Sequence, residues 1–154
     1  MEYLIVKWLH VVSSTILFGT GIGSAFYMLV SVLSKDTRVI AHTVGMVVLA
    51  DWIFTTPAII VQPVTGLYLM HLAGYPFSQH WILLSIALYF FAGACWLPVV
   101  WLQMRMHAMA KQAMENDGAL PASFGRYFRY WVLLGIPAFF ALVVVFYLMV
   151  AKPA

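Results

Sequence analysis

Apolar positions in this chain follow neither the two-residue period of a half-buried strand nor the sharp two-faced period of a soluble amphipathic helix. They run on for roughly 20 to 30 residues at a time, the length that crosses a bilayer as a helix. Short polar segments separate the runs: Ser34-Lys35-Asp36-Thr37-Arg38, then Gly74-Tyr75-Pro76-Phe77-Ser78-Gln79, then a longer stretch around Ala110 to Arg126 that holds the turn signal Glu115-Asn116-Asp117-Gly118. The pattern predicts an all-α integral membrane protein, a four transmembrane helix bundle, with spans over about 4–33, 39–73, 80–108 and 125–151. Residues 1–154 form one transmembrane domain, with no repeat and no low-complexity tract.

Composition removes the soluble alternative. The 154 residues are 64% hydrophobic and 8% charged, and a soluble chain of this size leaves too much surface outside to hide that apolar excess. The net charge of +3 reports topology and offers no nucleic-acid surface. Lys35, Arg38, Arg105, Lys111, Arg126 and Arg129 gather on one side, against Lys7 and Lys152 on the other. The positive-inside rule puts the first group in the cytoplasm and both termini on the non-cytoplasmic side. The first apolar run is too long for the core of a signal peptide and lacks a basic start and a cleavage site, so it reads as a permanent span. Cys95, the single cysteine, excludes an internal disulfide and any CxxC pair, and reads as a small buried hydrophobe.

Polar residues inside the spans carry the functional signal. Span 1 holds Lys7 and His10 three apart on one face, then Ser13, Ser14, Gly19, Gly21, Gly23 and Ser24. Small residues admit a neighbouring helix or a flat cofactor; Gly19-Thr20-Gly21-Ile22-Gly23 follows no strand and is no nucleotide loop. Span 2 exceeds a straight crossing, and Pro57 and Pro63 predict a bend in its outer half. Asp51, Thr55, Ala58, Gln62 and Thr65 are spaced four, three, four and three, one stripe on a face turned to the bundle interior. Asp51 is the only acid inside a span. It is either a functional group or an acid neutralised or paired with Arg or Lys, only about two to three turns from the cytoplasmic end. Span 4 has no polar side chain between Phe139 and Val150 except Tyr147, and reads as structural.

Of the five histidines, His10, His71 and His80 fall on the outer side, and His42 and His107 at the cytoplasmic ends of their spans. A haem b wants imidazole ligands, apolar walls and a cation near its propionates. His10, His71 and Lys7 offer that set, with His80 a weaker candidate. Each is read against the plainer alternative of a hydrogen-bonded packing histidine, which suits His42, His80 and His107 better. Three or four short-spaced ligands for zinc are missing.

Tyr3-Leu4-x-x-Lys7-x-x-His10 resembles the first helix of the HemJ-type protoporphyrinogen oxidases. That resemblance implies a haem-ligand role for His10. The Pro-Arg pair later in that helix is replaced by Phe26-Tyr27-Met28-Leu29, and the third-helix Lys has no counterpart, so the oxidase role does not carry over. Nearly the whole chain resembles a bacterial integral-membrane family known as domain of unknown function 2269. Thr56-Pro57, Gln62-Pro63-Val64-Thr65-Gly66, Gly135-Ile136-Pro137-Ala138 and Leu148-Met149-Val150-Ala151-Lys152-Pro153 carry that likeness, which implies a multi-pass protein of the bacterial inner (cytoplasmic) membrane.

Three functions follow as expectations. The first is a haem b-binding redox protein, an oxidoreductase if it is an enzyme, passing electrons to a quinone or porphyrin-like ligand. His10 and His71 would be its iron ligands and Lys7 its propionate partner, with Asp51, Thr55, Gln62 and Thr65 as a proton or quinone stripe. The second is a small transporter subunit built on that stripe, which needs a homo-oligomer because the chain has no inverted repeat. The third is a non-catalytic accessory or assembly subunit of a larger membrane complex.

Overall fold

The structure, a computed structural model, describes residues 1–153. Its elements in order are α1 (Glu2–Ser34), α2 (Thr37–Ala50), a π-helical turn (Asp51–Thr55), α3 (Thr56–Ala73), α4 (His80–Glu115) and α5 (Ala122–Ala151). Helix α2, the π turn and α3 are continuous, so four spans are long and apolar enough to cross a membrane. The protein is an all-α, multi-pass, four-helix membrane bundle. Its outer faces carry exposed Leu, Ile, Val, Phe and Trp along every span, the surface a bilayer solvates.

Local chemistry fixes each reversal. Helix α1 ends on Lys35 in the left-handed conformation (φ 58°). Asp36 then caps α2, its carboxylate accepting from the N–H groups of Arg38 (2.8 Å) and Val39 (3.3 Å). Helix α3 ends in a Schellman motif: Gly74, at φ 68°, donates to His71 O at 3.2 Å, and Tyr75 donates to Met70 O at 3.1 Å. The conformation at residue 74 penalises any side chain.

The helix before the third connection is longer than expected. Helix α4 runs to Glu115 and α5 begins at Ala122, so the loop within the expected Ala110–Arg126 segment shrinks to residues 116–121. Ala108-Met109-Ala110-Lys111-Gln112-Ala113-Met114-Glu115 is built from strong helix formers. Ala110 and Ala113 are buried, and Lys111 faces Glu115 one turn on at 3.9 Å. Polarity ends the membrane span there without ending the helix.

Helices α4 and α5 pack along their length, α2 packs on α4, and α1 packs on both halves of span 2. Phe18 closes the ring from α1 to α5, stacked on Phe139 (5.3 Å) and edge-on to Phe146 (5.2 Å). One apolar cluster, with Met28, Ile40, Val44, Val47, Leu102, Met106, Phe124 and Trp131, fills the end away from the termini. A smaller one, Met70, Trp81, Ile82 and Leu148, fills the termini end. There Lys152 lies over the rings of Tyr75 and Trp81.

Span 2 is interrupted one turn earlier than its prolines alone suggest. In a regular α-turn the Pro57 ring collides with the carbonyl of residue 53. The chain widens into the π turn just before it. Thr56 N–H bonds to Asp51 O, and Thr56 Oγ1 donates to the same carbonyl at 2.9 Å. Pro63 lies inside α3 and has no N–H for the carbonyl of Ile59, four residues back. Tyr89 of α4 supplies that donor: its hydroxyl meets Ile59 O at 2.7 Å.

This pairing predicts a measurable coupling. Tyr89→Phe strands the Ile59 carbonyl and should cost about 1–3 kcal/mol. In a Pro63→Ala background the backbone serves that carbonyl itself, and the same change should cost markedly less. Reversible unfolding of the four variants in mixed micelles reads the difference; equal costs in both backgrounds would contradict the assignment.

Candidate functional site

The interior face of span 2 is polar from its middle outward. Asp51 opens the π turn and is 6% exposed, although about 21 Å of α2 separates it from the start of the span. It is therefore nearer the centre of its span than the sequence spacing suggested. Its carboxylate accepts from Thr55 Oγ1, one turn on, at 2.7 Å. The Gln103 side chain of α4 lies beside the same carboxyl. Gln103 is 2% exposed, and its Oε1 has no hydrogen-bond partner. The ion pairs among the described residues are Arg38–Asp117 and Lys111–Glu115. Asp51 has no cation beside it, which removes the reading of a simply paired acid.

Further out, α1 supplies the facing groups. Its inward positions Val6, His10, Ser13, Leu17, Thr20 and Ser24 recur at four- and three-residue steps and are buried or half-buried. Ser13 Oγ donates to Ala58 O at 3.3 Å. One turn above, the His10 imidazole lies against Gly66, where an added Cβ would stand 3.1 Å from its Cε1. Its Nδ1 is 2.8 Å from Thr65 Oγ1 and its Nε2 is 3.1 Å from Gln62 Nε2.

Hydrogen-bond accounting fixes the tautomer. The Thr65 hydroxyl donates to Val61 O at 2.7 Å, so toward the ring it accepts, and Nδ1 carries the proton. Nε2 then accepts from the Gln62 amide N–H. Gln62 Oε1 is left buried without a partner.

The other candidates are not brought to this place. Lys7 is exposed, with its ammonium 5.8 Å from the Tyr3 ring centroid. His71 comes nine residues after Gln62, about 900° round the helix axis and so on the opposite face. It is exposed and lines a hollow of about 330 Å³ with Leu67, Met70, Tyr75 and Phe77. His80 is exposed at the first position of α4. No group of three or more His, Cys, Asp or Glu suited to a metal ion occurs among the described residues. For a haem, the structure offers one axial nitrogen and not two. A protonated Nδ1 held by Thr65 orients His10 as iron ligands are usually oriented, but its Nε2 is filled by Gln62 and no second imidazole faces it.

Three groups of the track were not singled out from sequence: Ser13 as a link between the spans, Gln103, and Gly66 as the seat of His10. Gln103 had a usable signal, an uncharged amide inside an apolar run. Gly66 had none, because its role depends on which helix faces it.

Against known proteins, the chain belongs to the DUF2269 family, described as a predicted integral membrane protein, whose family model matches residues 4–153. No curated protein and no solved structure matches the chain.

The tautomer is directly observable. Nitrogen NMR of histidine-labelled protein in lipid should show His10 neutral with its proton on Nδ1. Thr65→Val should shift it toward the Nε2–H form, because the Nδ1 acceptor is gone. An Nε2–H ring in the unaltered protein would contradict the network.

Proposed function

We propose that this member of the DUF2269 family is a proton-translocating subunit of the bacterial inner membrane, acting as a homo-oligomer or within a larger membrane complex. The observation that carries the reading is Asp51: a carboxyl buried mid-bundle, with a hydroxyl partner, an amide beside it and no cation. Ionisable groups are expensive at that depth, and their common use is proton or ion relay. The π turn that exposes this residue to the bundle interior is itself a frequent mark of functional sites.

The track gives such a proton somewhere to go. From Asp51 and Thr55 the polar groups continue through Ser13 to Gln62, His10 and Thr65. Neutral imidazole both donates and accepts, so His10 can take a proton at Nε2 and release one from Nδ1. The Lys/Arg bias toward Lys35, Arg38, Arg105, Lys111, Arg126 and Arg129 puts Asp51 on the cytoplasmic side of His10.

Purified protein in liposomes, with a pH-sensitive dye inside and a potassium diffusion potential across the membrane, tests this. The unaltered protein should conduct protons. Asp51→Asn should lower the flux by at least about a hundredfold, as loss of a proton-transfer group does, and His71→Ala should leave it unchanged. No flux from the unaltered protein, or equal flux from Asp51→Asn, would overturn the reading.

A second reading, haem b bound through His10 alone, has one observation in its favour: the Nδ1–H bond to Thr65, which leaves Nε2 as the metal-capable nitrogen once Gln62 turns aside. Haem would bring one-electron chemistry to the outer half of the bundle. A Soret band in protein purified from haem-supplied cells, lost in His10→Ala, would establish it; colourless protein would remove it.

A further inference from the structure

We infer that His107 is the residue that loads Asp51 with protons from the end of the bundle away from the termini. The inference rests on the proton reading and names the entry that reading lacks. Three residues one turn apart on a single face of α4 lead inward: Lys111 is exposed, His107 half-buried and Gln103 buried. Neighbours at that spacing lie about 5–6 Å apart between Cβ atoms. The innermost lies beside the Asp51 carboxyl. Its unpartnered Oε1, on a side chain 2% exposed, leaves an acceptor open at that point.

His107 is held toward span 2 by the absence of a side chain there. Its ring sits on Gly45 of α2, and an added Cβ at that position would be 2.9 Å from Nε2. Gly45 lies six residues before Asp51, about 9 Å along the span. Of the other charged or titratable groups near this level, Arg105 lies over the Trp101 ring at 5.4 Å, half-buried Tyr127 of α5 packs edge-on to that ring at 5.8 Å, and His42, one turn before Gly45, is exposed. The ring on Gly45 is thus the imidazole on the route from that surface to the buried carboxyl. It mirrors His10, which sits on Gly66 at the far end of the same track.

The step conserves charge. His107 imidazolium gives one N–H proton, through an intervening water, to the Asp51 carboxylate. The products are neutral imidazole and carboxylic acid, and water on the cytoplasmic side reprotonates the ring. Gln103 positions the carboxyl and is not itself a carrier.

The test uses full-length protein in the same liposomes. His107→Ala should lower proton flux by at least about tenfold, and added imidazole should restore a large part of it. Asp51→Asn should be slower still, by at least about a hundredfold, and should not respond to imidazole. Gly45→Ala keeps the histidine but pushes the far end of its side chain away, and should fall between the unaltered protein and His107→Ala. Wild-type flux from His107→Ala while Asp51→Asn is dead would overturn this inference and leave the proton function standing. A slow His107→Ala that imidazole cannot rescue would also overturn it, because the residue would then be structural. Unchanged flux from Asp51→Asn would instead defeat the proton function itself.

Discussion

Hydrocarbon offers no hydrogen-bond partner, so a backbone carbonyl that loses its donor inside a bilayer must find another within the protein. Span 2 carries two prolines and meets that constraint at each. Ahead of Pro57 the helix widens into a π turn, with Thr56 closing it through both backbone and side chain. Opposite Pro63, Tyr89 crosses from α4 to serve Ile59. The first device sets Asp51 at the opening of the widened turn; the second ties α3 to α4. Much of the placement of the polar residues follows from these two repairs.

The bundle is consequently apolar outside, with a polar track running through an otherwise apolar interior. Its lipid faces are ordinary, and specific hydrogen bonds converge on span 2: Ser13 to Ala58, His10 to Thr65 and Gln62, and Tyr89 to Ile59. Small residues serve close approach, as is common between membrane helices. Gly66 and Gly45 each accept an imidazole where a methyl group would crowd it. One span thereby presents a histidine seat on either side of a buried acid. Neither seat has a soluble-protein rationale, since a packed aliphatic side chain would stabilise the same contact without a polar group to satisfy.

The fold was legible because the bilayer imposes it. Long apolar runs, short polar breaks and the Gly74 turn leave little choice. The four-three spacing of Asp51, Thr55, Gln62 and Thr65 likewise announced an interior face, and His10 joined it. What sequence could not show was the partner of each group. His71 lies in the same span as Gln62 and Thr65, yet half a turn of phase sends it to the opposite face. Lys7 shares a face with His10 in a helical projection, yet its flexible stem carries the charge outward to Tyr3. The helix through Ala110 and Ala113 outlasts the apolar run because strong helix formers continue where hydrophobicity stops. The π turn shifts the register by one residue, which no periodic pattern anticipates.

On the proton reading proposed above, Asp51, though buried, exchanges its proton with water along the track. Infrared difference spectroscopy of the protein in lipid, across a pH titration and after transfer to heavy water, measures this on the carboxyl itself. A carboxylic-acid carbonyl band that titrates, shifts with deuterium and is missing in Asp51→Asn is the predicted result. A spectrum of the unaltered protein indistinguishable from that of Asp51→Asn at every pH would contradict it.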